Sequence, residues 1–211
     1  MIFFLNILLP GQVFAGKIIG TVKVNGLRSP ANVLVYLSKA PPAVVDVSGA
    51  KFVVDQRNLA FIPHVLPVLV GTTVHFPNND KVSHNVFSLS KTKTFNLGSY
   101  SQGETKKILF DKPGIVVLRC DVHAEMEAYI MVMKNPYWAV TDRQGRFEIP
   151  DVKDLDLHGI KGVKDLSPGK TFLKTWHEKL KTGKKAVMVP KDGAVNIKLD
   201  LTRGIPGVLY K

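Results

Sequence analysis

The sequence predicts an all-β protein, and three observations carry that reading. Thirteen prolines and seventeen glycines are spread between short runs rich in Val, Ile, Phe and Thr, a pattern of many strands and turns. Turn dipeptides such as Asn25-Gly26 fall between those runs. Apolar residues alternate along them, as in "IVVLRC", where Val116, Leu118 and Cys120 share one face. With 211 residues, 45% of them hydrophobic, the chain has room for one large or two small domains with real cores.

The first fifteen residues, "MIFFLNILLPGQVFA", carry no charge and end in small Ala15 with Val13 at minus three, which reads as a signal peptide over 1–15. The expected location is periplasmic or otherwise exported. The apolar run is about 14 residues and is broken by Pro10-Gly11, too short for the ~20 of a spanning helix. Next, "GKIIGTVKVNGLRSPANVLVYLSK" predicts strands over 18–24 and 32–37, joined as a hairpin at Asn25-Gly26. "KAPPAVVDVSGAK" reads as a linker, and "FIPHVLPVLVGTTVHFPNND" as two strands broken at Gly71. Short strands follow over 84–89, 106–110, 115–120 and 128–133. "AVTDRQGRFEIPDV" gives a strand, a turn and a strand, followed by a Lys/Asp/Gly-rich excursion over 153–166. "PGKTFLKTWHEKL" resumes the alternation, and "KAVMVPKDGAVNIKLDL" predicts a final hairpin at Lys191-Asp192-Gly193. "SPGKT" ends like a phosphate-binding loop, but Lys164 stands where that motif needs its first glycine, and a strand follows.

The formal net charge is +12. Lysines are scattered rather than clustered with aromatics, which argues against nucleic acid and for an anionic envelope surface or an acidic protein partner.

Cys120 is the sole cysteine, so an exported chain has no internal disulfide and its thiol needs another explanation. A buried core cysteine is the plain alternative. In "CDVHAEMEAYIMV" the thiol is followed by His123 and Met126. Met126 shares a face with Ala128, Ile130 and Val132, so two strands deliver a thiol and a thioether to one end of a β core. His84, opening a strand after "FPNND", supplies a second imidazole. Cys, two His and Met suit a type 1 copper site. Zinc would accept the same Cys and His but gains little from a thioether.

"NNDKVSHNV" resembles the first ligand strand of plastocyanin and pseudoazurin, and C-x2-H-x2-M resembles the ligand loop of amicyanin-like cupredoxins. The resemblance covers about residues 59–134 and implies a Greek-key β-sandwich. It further implies His84, Cys120 and His123 as equatorial copper ligands, Met126 as the axial one, and Asn85 pinning the Cys120 loop by hydrogen bonds. It differs in having Asp121, Glu125 and Glu127 around His123, where typical members have an apolar docking patch.

Outside that stretch, "AVTDRQGRFEIPDV … SPGKTFLKTWHE" and "GTVKVNGLRSPANVLVYL" resemble carboxypeptidase regulatory-like domains, small transthyretin-like β-sandwiches. This implies a discontinuous sandwich, 17–40 with 135–203, around an inserted cupredoxin at 52–134. Two modules in tandem, with 17–40 as the first cupredoxin strands, is the alternative. Of the other histidines, His75 is expected on an outer strand face, and His64 near the site or capping a strand. His158 is expected exposed, and His177 at the surface. The functional expectation is a non-enzymatic carrier of single electrons between a protein donor and a protein acceptor, cycling Cu(II)/Cu(I). Copper delivery or buffering without a redox circuit is the alternative. A catalytic centre using Glu125 or His64 ranks last.

Overall fold

The computed structural model describes residues 16–40, 45–150, 156, 158–160, 163 and 166–204. The predicted signal peptide and most of the 153–166 excursion lie outside the described residues. Among the described residues seventeen strands follow one another: β1 (Lys17–Asn25), β2 (Leu34–Leu37), β3 (Phe52–Val53), β4 (Asp55–Arg57), β5 (Ala60–Ile62), β6 (Val65–Leu69), β7 (Thr72–Pro77), β8 (His84–Ser90) and β9 (Lys93–Tyr100). Then come β10 (Thr105–Phe110), β11 (Gly114–Arg119), β12 (Glu127–Met133), β13 (Trp138–Val140), β14 (Arg146–Ile149), β15 (Gly169–Trp176), β16 (Lys184–Val189) and β17 (Ala194–Thr202). The all-β expectation holds.

Four main sheets form, ordered β10-β7-β3, β6-β12-β11-β8-β9, β13-β2-β15-β16 and β14-β1-β17, and their burial patterns show how they stack. The first two share a core in which Phe52, Val74, Phe76 and Phe110 meet Val86, Val116, Leu118 and Ile130. The last two share a second core, built from Ile18, Val22, Phe147 and Leu199 on one sheet and Val33, Val35, Leu37 and Leu173 on the other.

Between these sandwiches two sheets meet back to back. In β12, Ala128, Ile130 and Val132 are buried, but so are Tyr129, Met131 and Met133 on the opposite face. In β2, Leu34 and Tyr36 pack toward the first core while Val35 and Leu37 belong to the second. Trp138 and Trp176 complete the junction, with the Trp176 ring 5.0 Å from that of Tyr129. Burying an aromatic of this size removes about 150–250 Å² from water, so the junction contributes several kcal/mol.

Both predicted hairpins are absent. β1 and β2 lie in different sheets, as do β16 and β17. β1 instead runs parallel to β17 from Lys17↔Ala194 to Asn25↔Thr202 and antiparallel to β14, while β2 lies between β13 and β15. At the crowded centre of β1, a Cβ on Gly20 would stand 2.2 Å from the Ile197 carbonyl oxygen and 2.7 Å from the Phe147 ring, so only glycine fits.

Candidate metal centre

Three strands bring the predicted donors to one end of the β6-β12-β11-β8-β9 sheet. Arg119↔Glu127 is the last pair of the β11–β12 ladder, and Arg119 also pairs with Phe87 of β8. Cys120 and Met126 each lie one residue past that rung, and His84 begins β8 on the same side. The connection is short and tied, because the Met126 N–H donates to the His123 carbonyl at 3.0 Å. His84, Cys120 and His123 converge so that one ligand atom from each lies within 4.8 Å of the others. Met126 is 1% exposed, His84 is fully buried and His123 is half-buried.

The two imidazoles meet through their Nδ1 atoms, 3.0 Å apart. Their rings cross at 67°. Two nitrogens bound at about 2.0–2.1 Å to one tetrahedral ion stand about 3.3 Å apart, so the pair is spaced to share a cation. A thiol and two inward nitrogens form a soft, mostly desolvated donor set, and buried Met126 lies at the same sheet end, one residue before β12.

His84 is held from behind. Its Nε2 donates to Asp80 Oδ2 at 3.0 Å, which puts the ring proton on Nε2 and leaves the Nδ1 lone pair facing inward. Asp80 is fixed by Leu59 N–H at 2.7 Å and Lys81 N–H at 2.8 Å. The Leu59 hydrogen bond first, and His84 second, hold its carboxyl down to about 2. The loop itself is shaped by buried Asn78, whose amide donates to the Val82 and Tyr100 carbonyls and whose Oδ1 accepts from Asp80 N–H at 2.9 Å. Sequence reasoning missed Asp80 and Asn78. The available signal was a carboxylate four residues before a candidate histidine in "NNDKVSH".

Other expectations are corrected. Asn85 donates to Asn96 Oδ1 at 2.7 Å, and its own buried Oδ1 has no hydrogen-bond partner among the described residues, so the pinning of the Cys120 loop is not formed. Glu127 is not a free acidic neighbour of His123, since its carboxylate accepts from Arg119 at 3.1 Å and from the Tyr129 hydroxyl. His64 lies outside the cluster. Its Nδ1 faces the Glu127 carbonyl and its Nε2 faces Glu178 Oε1, each at 3.2 Å. His177 is buried, not superficial, because its sheet packs on both faces. Burial lowers its proton affinity, and its Nδ1 accepts the Lys179 N–H at 3.0 Å. His158 stacks on Phe52 at 4.3 Å and is half-buried. His75 is as expected, on the less buried face of β7, alternating with buried Val74 and Phe76.

No protein-family model matches the chain. Its structural neighbours include cupredoxins. A purple cupredoxin from Nitrosopumilus maritimus is 26% identical, matched over 40% of this chain and 99% of its own, with a TM-score of 0.35. Amicyanin from Paracoccus versutus is 18% identical over 47% of this chain and 97% of its own, at 0.37. A copper-containing nitrite reductase from Thermus scotoductus SA-01 is 26% identical over 54% of this chain and 28% of its own, at 0.40.

Proposed function

We propose that His84, Cys120, His123 and Met126 hold one copper ion, and that the chain carries single electrons between a donor and an acceptor protein outside the cytoplasm. The observation that carries this reading is the convergence of the sole thiol with two Nδ1 atoms 3.0 Å apart at a buried sheet end. Bound copper would supply a one-electron Cu(II)/Cu(I) couple. The residues do the rest. Cys120 gives up its thiol proton, while Asp80 keeps the His84 lone pair turned inward. The short His123–Met126 turn presents both donors from a single loop.

Four protein donors leave no position for a substrate, which favours a carrier over a catalyst. His123 is the half-buried member of the cluster, so its outer edge is where a partner approaches. Pairing of β1 with β17 and of β2 with β15 supports a discontinuous sandwich, 17–40 with 135–203, around a copper-binding unit at 52–134.

The test is the optical spectrum of copper-loaded protein. An intense thiolate-to-copper band is expected, absent in Cys120→Ser and unchanged by azide or nitrite. A colourless Cu(II) complex, or a band displaced by anions, would overturn the reading. Rapid loss of Cu(I) to a chelator without measurable electron exchange would favour delivery instead.

A further inference from the structure

Where the two sandwiches meet back to back, they do not close completely. A cleft of about 610 Å³ opens between β11 and β12 on one side and β2 and β15 on the other. Its walls are Ile115, Val117, Met131 and Met133 from the first sandwich and Tyr36 and Trp176 from the second. Sites for small organic ligands run from about 300 to 1,000 Å³ and are mostly apolar with a few placed polar groups, which describes this cleft.

The charge around it is one-sided. Lys91, Lys134 and Lys174 line it, and among the described residues no carboxylate does. The clefts elsewhere differ. One carries Asp142, Arg146 and Glu148 together, and another is only about 200 Å³. One further feature suits a ligand with acceptor oxygens. Burial of the Tyr36 phenol raises its pKa, keeping it a neutral donor. Gly114 shapes the wall, because a Cβ there would meet Thr92 Oγ1 at 2.5 Å and its φ of +142° disfavours other residues.

We propose that this cleft binds a single-chain amphiphile with an anionic head, its hydrocarbon tail against Val117, Met131, Met133 and Trp176 and its head among the three lysines. Buried apolar length supplies affinity, while the ammonium groups select the head. Ile115 and Met133 lie toward the far ends of β11 and β12 from Cys120 and Met126, so the proposal stands apart from the copper reading.

The test uses the full chain and dodecanoate below its micelle concentration, followed by tryptophan fluorescence and calorimetry. Saturable one-to-one binding is expected. Dodecyl phosphate distinguishes the head, since equal binding means any anion serves and weaker binding means a carboxylate is preferred. Either result supports the site provided that dodecyltrimethylammonium binds at least tenfold more weakly. Replacing Lys91, Lys134 and Lys174 by Gln should weaken dodecanoate at least tenfold while leaving dodecanol unchanged. Val117→Phe should reduce binding of both by filling the cleft. Equal affinity for anionic and cationic amphiphiles, or indifference to both sets of variants, would overturn the proposal. So would binding that appears only after removal of residues 205–211, because the chain's own end would then be the occupant.

Discussion

Asp80 Oδ2 accepts two hydrogen bonds at once, from His84 Nε2 at 3.0 Å and from Leu59 N–H at 2.7 Å, so one carboxylate oxygen joins the β4–β5 turn to the candidate metal centre. Removing such a partner of a ligating histidine costs about 10–100-fold in metal affinity. Asp80→Ala should therefore weaken copper by that factor in a competition with a chelator. Asp80→Asn keeps an acceptor and should lose less. Both variants should raise the reduction potential, since each removes a negative charge that favours Cu(II).

Met126 is buried just before β12 and offers a thioether, a weak donor. Met126→Leu should retain copper and its colour while the potential rises, measured by redox titration. Loss of the metal would show that Met126 does more than complete the axis.

The junction ties the sandwiches together. Trp176→Ala should cost about 3–5 kcal/mol, lowering Tm by about 6–20 °C in a thermal melt. An excised 50–136 segment should still bind copper but associate with itself, because Tyr129, Met131 and Met133 become exposed. A 135–211 segment should fail to fold, lacking β1 and β2, each an interior strand of its sheet. A cooperative melt from that segment would refute the discontinuous arrangement.

His64 and Glu178 form an ion pair across the junction, 3.2 Å long. The hydrogen bond His64 donates to Glu178 raises His64 above 6.5 against the opposing effect of burial. Burial alone would raise Glu178, but His64 and the charge of His177 hold it below 4.5. Glu178 thus contributes stability above about pH 4.5 that is lost as pH falls. His64 contributes below about pH 6.5, and that part is lost as pH rises through its folded value. The junction should be firmest between those limits. With His64 a third exposed, solvent screening limits the pair to under about 1 kcal/mol, so His64→Gln should lower Tm by about 1–3 °C at pH 5.5 and have little effect at pH 9.

Asp121 and Glu125 are exposed beside His123, whereas Glu127 is engaged by Arg119. Neutralising Asp121 and Glu125 should change the salt dependence of electron transfer to a protein partner while leaving the copper spectrum intact. Glu127→Gln should change it less.

The cluster of His84, Cys120 and His123 was legible because two of its members lie within four residues and strand alternation fixes which way Cys120 points. Asp80 was not, because its role depends on a loop curled by the Asn78 amide and on Leu59 from another turn. The hairpins at Asn25-Gly26 and Lys191-Asp192-Gly193 misled because a tight turn looks alike whether the next strand returns to its own sheet or crosses to the facing one. His177 misled for a related reason. A period of two separates inside from outside only when one face meets water, and around β2 and the Trp176 end of β15 both faces are covered.

The parallel register of β1 against β17 has a temporal consequence. β1 cannot take up this pairing until the far-distant stretch Ala194–Thr202 is available, so the contact closes a very long loop and forms late. The strands from β3 to β12 can meanwhile complete their sandwich from neighbours already present. The first sandwich would thus be assembled while the second is still half a structure, with β1 an unpaired edge in need of protection until its partner arrives.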